Sequence, residues 1–246
     1  MSALLVGCWG PIDLGAPREI PEAARSAEVK ALKAALAGAG SGSAGEAPAD
    51  ARMRTIAVDA QAAARGKAAY ATCAGCHGAE GEGRMGIAPR LTSESFLAAA
   101  SDRMLKATIS EGRAGTTMTP WGPVLGEERI EDIVAWLRTE VPTEPVELDE
   151  SPLDGHVPTG EKRFREICAT CHGRSGAGYQ ESGSGTGIGR KAFLSSVTNG
   201  YLRHVITHGK SLTAMRPFAS DAPTAVANLD EQEIEDVIAY LRHQAW

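Results

Sequence analysis

Residues 61–142 and 159–246 present the same features in the same order, and this internal duplication restricts the fold more than any other property of the chain. Cys73, Cys76 and His77 form one Cys-x-x-Cys-His unit; Cys168, Cys171 and His172 form the second. Gly66 and Tyr70 precede the first unit as Gly160 and Phe164 precede the second. Phe96-Leu97 matches Phe193-Leu194, and residues 105–118 align without gaps with residues 202–215, with Leu, Ile, Gly and Met at equal offsets. Each copy closes on a segment of helical periodicity. Ile130, Ile133, Val134 and Leu137 form the stripe in the first, and Ile234, Val237, Ile238 and Leu241 in the second. Asp230 followed by Glu233 predicts a capping box at the start of the last helix. Strand patterning is sparse. The expectation is an all-α fold, each repeat holding four or so short helices joined by long glycine-rich loops.

Such loops need something to pack against. Phe, Trp and Tyr make up only 5% of the chain, and a unit of about eighty residues with so few large side chains builds a thin core. A large apolar cofactor would fill it. The repeated unit has the right chemistry, because thiols at i and i+3 reach the two vinyl groups of one porphyrin and the adjacent histidine lies under the iron. A bare Cys-x-x-Cys also suits half of a zinc site or a thioredoxin-like redox pair. Here both pairs carry the histidine and a glycine-rich stretch follows each, which favours haem. Cys73, Cys76, Cys168 and Cys171 are then the attachment residues, and His77 and His172 the proximal ligands.

On these residues each half resembles a class I cytochrome c domain. The tandem is similar to dihaem cytochromes of the cytochrome c4 type, over roughly residues 61–246. The resemblance implies two covalently bound haem c groups and a role in electron transfer. It implies a methionine on each sixth coordination position: Met118 and Met215, 41 and 43 residues beyond their histidines. Such ligation raises the reduction potential relative to two histidines. Filled axial positions favour an electron carrier over a dihaem peroxidase or thiosulfate dehydrogenase, the enzymatic alternatives. The resemblance also assigns the Pro89 carbonyl to the ring of His77 and places Trp121 beside the first haem. Phe218 holds the place of Trp121 in the second repeat. No proline occurs between His172 and Met215, so the partner of His172 stays unassigned. Arg190 and Lys191 are candidates for a haem propionate, or else solvated surface charges. Met85 and Met104 lack a counterpart in the other repeat and read as packing residues. His204 and His208, one helical turn apart, align with Ala107 and Glu111 and read as surface residues.

The remaining segments suggest location and partners. Leu5, Val6, Gly7 and Cys8 resemble the end of a bacterial lipoprotein signal, with Cys8 as the lipidated residue and 1–8 as its remnant. Residues 9–60 read as a tether, with a helix over 21–37 and a linker rich in Gly, Ser and Ala. Residues 143–158 carry five carboxylates and no Lys or Arg, and read as an acidic linker between the repeats. No stretch approaches the length of apolar residues that spans a bilayer. Basic side chains are too dispersed for a nucleic-acid surface. Thioether attachment follows export in bacteria, so a periplasmic protein is expected, membrane-anchored if Cys8 is lipidated. The partners expected are redox proteins: a quinol-oxidising complex, a terminal oxidase or a dehydrogenase. A fixed subunit of a membrane complex is the further alternative.

Overall fold

The computed structural model describes residues 54–222 and 227–246. Cys8, the helix expected over 21–37 and the Gly/Ser/Ala linker lie outside the described residues. Both repeats belong to one compact unit. The first repeat contains α1 (Ala60–Tyr70), α2 (Ala74–His77), α3 (Glu94–Ala99), α4 (Asp102–Glu111) and α5 (Gly122–Glu140). In the second, α6 (Val157–Arg163) runs on as a π-helical turn, Phe164–Cys168, into α7 (Ala169–His172). Then follow a 3₁₀ turn (Gly178–Glu181), α8 (Lys191–Leu194), α9 (Asn199–His208) and α10 (Glu231–His243). Among the described residues there is no strand, only two isolated β-bridges. Each repeat has one more helix than expected, because the Cys-x-x-Cys-His unit itself winds into a single turn.

The first and last helices of each repeat cross in close contact, and glycine permits it. A Cβ on Gly66 would lie 1.8 Å from the Asp132 carbonyl oxygen, and one on Gly160 the same distance from that of Asp236. The aromatics one turn on then stack: Tyr70 on Trp136 at 4.2 Å between centroids, Phe164 on Tyr240 at 5.3 Å. The predicted apolar stripes of α5 and α10 are buried in this core. α10 opens with the predicted capping box, Asp230 accepting from the Glu233 N–H and Glu233 from the Asp230 N–H. In α5 the regular helix follows a break at Gly126, whose φ of 72° leaves the helical region.

An arginine near the end of each closing helix fastens the middle of its repeat. Arg138 donates to the carbonyls of Leu97 and Ala100 (2.5 and 2.7 Å) and pairs with Asp102 at 2.9 Å, both side chains buried. Arg242 donates to the carbonyls of Leu194 and Val197, the latter at 2.9 Å, and to Asn199 Oδ1, also at 2.9 Å. Asn199 thus holds in the second repeat the place that Asp102 holds in the first. Asp102 also accepts from the backbone N–H groups of Thr55 and Ile56, docking the segment before α1. The acidic stretch between the repeats is fastened in a similar way. The Val146 N–H reaches the Ala98 carbonyl of the first repeat. Arg203 of the second repeat donates to the carbonyls of Asp149 and Ser151, and Leu148 is buried.

Candidate functional site

In each repeat the first helix leads directly into the Cys-x-x-Cys-His turn, so the thiols and imidazole inherit their position from the helix crossing. A glycine ends each turn, Gly78 at φ 83° and Gly173 at φ 78°, a region open to glycine at little cost. The chain then reverses into the glycine-rich loop. In the first repeat the loop returns to the His77 carbonyl, which accepts from the Gly83 N–H at 2.7 Å. In the second it returns to the Cys171 carbonyl, which accepts from the Gly185 N–H at 2.8 Å.

These loops orient the histidines. His77 Nδ1 lies 2.9 Å from the Pro89 carbonyl oxygen, and His172 Nδ1 lies 2.8 Å from that of Thr186. A carbonyl only accepts, so Nδ1 carries the proton in both rings. Nε2 is left with its lone pair, the form that binds a metal. Burial lowers the pKa of both imidazoles and so favours the neutral state. Thr186 is the partner that sequence comparison of the repeats left unassigned. Nothing in the residue type announces it, since the acceptor is a main-chain carbonyl and any residue supplies one.

None of the four motif cysteines is in a disulfide. Burial raises the pKa of Cys73, and pushes that of Cys168 up to about 12. The zinc alternative needs a converged donor set. Among the described residues no group of three or more His, Cys, Asp or Glu side chains is placed to hold a metal ion. The donors therefore stand as two separate sets, each with two thiols and one imidazole nitrogen, which is what covalent haem attachment requires.

The methionine segments are built alike. α4 ends at Gly112 and α9 at Gly209. The next N–H donates to the methionine carbonyl: Arg113 to Met118 and Lys210 to Met215, both at 2.7 Å. The methionine N–H in turn donates to a threonine hydroxyl two residues earlier, Thr116 or Thr213, both at 3.1 Å. The Trp121 and Phe218 N–H groups donate to the carbonyls of Ile109 and Ile206, both at 3.1 Å. Met118, Met215, Trp121 and Phe218 are all half-buried.

Arg190 and Lys191 part company. Arg190 is buried; its guanidinium lies 4.1 Å from the Trp246 ring and donates to Gln180. Its Nε has no hydrogen-bond partner among the described residues. Lys191 is exposed, and its backbone is what is engaged: its N–H donates to the Trp246 carbonyl and its carbonyl accepts from the N–H and hydroxyl of Ser195. Met104 packs in the core, whereas Met85 is 80% exposed on a turn closed by Arg84 and Ala88, so it is not a packing residue. The rings of His204 and His208 face each other at 4.6 Å. Sequence reading missed Arg113 and Lys210. Burial pulls their pKa values down to about 10 and about 8, and among the described residues neither pairs with a carboxylate. The only sequence signal was that both follow the aligned glycines.

The family model for "Cytochrome C oxidase, cbb3-type, subunit III" matches residues 61–137 and again residues 155–241. Among curated proteins, the cbb3-type cytochrome c oxidase subunit FixP of Azorhizobium caulinodans is 34% identical over 134 residues, covering 50% of this chain and 42% of that protein. Subunit CcoP of Rubrivivax gelatinosus is 28% identical over 188 residues, covering 76% of this chain and 56% of that protein. Cytochrome c4 of Thiocapsa roseopersicina is 25% identical over 182 residues, covering 71% and 88%. The chain spans about half the length of the FixP and CcoP proteins it matches. Among the described residues no helix is long and apolar enough to cross a membrane. Two matched segments, two sets of thiols and two imidazoles held in the metal-binding tautomer agree, and the chain belongs to the family of cbb3-type cytochrome c oxidase subunit III, a c-type cytochrome with two covalently bound haem c groups.

Proposed function

We propose that this protein passes single electrons between redox partners and catalyses no bond-making or bond-breaking reaction on a substrate. The observation that carries this reading is the pair of proximal histidines, each fixed by a loop carbonyl beside two thiols. Bound haem c supplies the one-electron ferrous–ferric couple. The chain does the rest. Cys73, Cys76, Cys168 and Cys171 hold the groups covalently. His77 and His172 present Nε2 in a fixed orientation. Met118 and Met215, on paired loops of the same construction, would help hold the iron through their thioether sulfurs, which favour the reduced state. Pro89 and Thr186 tune the histidines, and Trp121 lies beside the first site.

The family match and the relatives CcoP and FixP favour one refinement. The protein serves as a fixed relay that feeds a terminal oxidase, and does not diffuse between complexes. An exported, periplasmic location follows from the chemistry of thioether attachment, with Cys8 as the lipid anchor. A redox titration followed by optical and EPR spectroscopy tests the core of the proposal. Two low-spin haems, each with a methionine–iron charge-transfer band when oxidised, are expected. Turnover of peroxide or thiosulfate would overturn the carrier reading. Co-purification with a larger oxidase assembly would separate a fixed relay from a mobile carrier, and labelling of Cys8 with a lipid precursor tests the anchor.

A further inference from the structure

The contacts between the two repeats are reciprocal. Arg113 follows the last turn of α4 in the first repeat; its side chain keeps one bond to that helix, to Thr108 Oγ1 at 2.8 Å, and reaches with the rest of its guanidinium into the second repeat. Its guanidinium donates to the Ala192 carbonyl at 2.7 Å and to Ser196 Oγ at 2.6 Å, and lies 5.4 Å from the centre of the Phe193 ring. Lys210 holds the matching place in the second repeat, and its ammonium lies 4.1 Å from the centre of the Phe96 ring in the first. Phe96 and Phe193 are themselves matched positions. Each repeat therefore sends one cation over the other's phenyl ring.

A second set of bonds joins the same elements. The Ser211 N–H donates to Ser95 Oγ at 2.8 Å. Ser211 Oγ accepts from the Ser95 N–H at 3.2 Å and lies 3.2 Å from Ser93 Oγ. Ser95 Oγ also lies 3.4 Å from the Gly209 carbonyl. Gln180 of the second repeat donates to the Gly115 carbonyl of the first.

One end of each of these contacts falls in the two segments that carry the methionines, 112–118 and 209–215. The same two residues, Arg113 and Lys210, bond the methionine carbonyls through their backbone N–H groups. Side chain and main chain of one residue thus link the methionine of its own repeat to the surface of the other. We infer that each methionine-bearing segment is positioned by the opposite repeat, with Arg113 as the positioning residue for Met118, and Ser95 together with Lys210 for Met215. This rests on the reading of Met118 and Met215 as axial ligands, and adds that neither repeat holds its methionine fully by itself.

The test is a crossed one, on the full haem-loaded chain. Methyl signals of the two ligating methionines in the reduced protein are assigned with Met118→Ala and Met215→Ala. The rate at which imidazole displaces each methionine from the oxidised protein is then followed separately. Ser95→Ala, a change in the first repeat, is expected to speed displacement of Met215 roughly five-fold, the scale of one lost hydrogen bond, and to leave Met118 at its original rate. Arg113→Met is expected to speed displacement of Met118 by at least as much, and Ser196→Ala, which leaves the Thr108 bond intact and removes a contact made across the repeats, should act on Met118 in the same direction. Ser95→Thr, which keeps the hydroxyl, should restore the original rate at Met215. The inference is overturned if Ser95→Ala leaves Met215 unchanged, or if it acts on Met118 instead. Absence of both methionine signals from the unsubstituted protein would instead remove the ligand assignment.

Discussion

Replacing Gly185 by alanine would disturb His172, the residue proposed as proximal ligand of the second haem, without replacing it. A Cβ at this position would lie 2.7 Å from His172 Nδ1 and 2.8 Å from Cε1, whereas ordinary van der Waals contact begins at 3.4 Å. Ring and loop must therefore separate by about 0.7 Å. The bond between Nδ1 and the Thr186 carbonyl, 2.8 Å long, would stretch to about 3.5 Å, close to where it ceases to count as a hydrogen bond. That bond makes the imidazole a stronger donor to iron and so favours the oxidised state. Its loss, worth about 1 kcal/mol at most, raises the potential of the second haem. For a one-electron couple this is a shift on the order of 40 mV. The assay is a potentiometric titration that resolves the two haems. Thr186→Ala is the control, since it leaves the carbonyl in place, and it should titrate as the unsubstituted protein does. An unshifted second haem in Gly185→Ala, or an equal shift at the first, would refute the argument.

Other perturbations follow from the same structure. Arg138→Met strips Asp102 of the guanidinium bonded to it and leaves Arg54 as the neighbouring cation, and should destabilise the folded protein by about 3 kcal/mol, the low end for a broken buried pair, measured by denaturant unfolding. Arg242→Met removes the bonds to the Leu194 and Val197 carbonyls and to Asn199 Oδ1, and should cost about 1–3 kcal/mol by the same measurement. Gly66→Ala and Gly160→Ala should each lower the thermal midpoint strongly, because the added methyl meets a helix carbonyl at 1.8 Å. Met118→Ala should abolish the methionine–iron band of one haem and spare the other.

Much of this architecture was legible because the chain states it twice. The duplicated apolar stripes gave the closing helices, and the spacing of Asp230 and Glu233 gave a cap that the structure shows. The paired cysteines with their histidines located both sites. What escaped has a common physical cause. Thr186 acts through a carbonyl, a group every residue owns, so its residue type says nothing; the signal was positional, since the offset that carries Phe96 onto Phe193 also carries Pro89 onto Thr186. Arg113 and Lys210 act between repeats, and sequence alignment of two copies says which residues match without saying which surfaces meet. Arg138 and Arg242 did carry a signal, since both follow the last leucine of the aligned stripe. A repeated charge at the end of an apolar face is a candidate for burial when the neighbouring turns expose carbonyls. Met85 failed in the other direction: an apolar side chain in a short turn had no interior to enter.

The π-helical turn before the second site has a geometric consequence. Tyr70 stands three residues before Cys73, but Phe164 stands four before Cys168. In a regular helix one inserted residue would rotate everything after it by about 100°, swinging both thiols and the imidazole a quarter-turn away from where the first repeat puts them. The stretch Phe164–Cys168 widens instead, with the Ala169 N–H returning to the Phe164 carbonyl five residues back, and so swallows the extra residue. The aromatic upstream keeps its stack on α10 and the His172 ring downstream still meets a carbonyl. The two copies differ by one residue within the helix wall, and each still brings the histidine of its motif to a loop carbonyl.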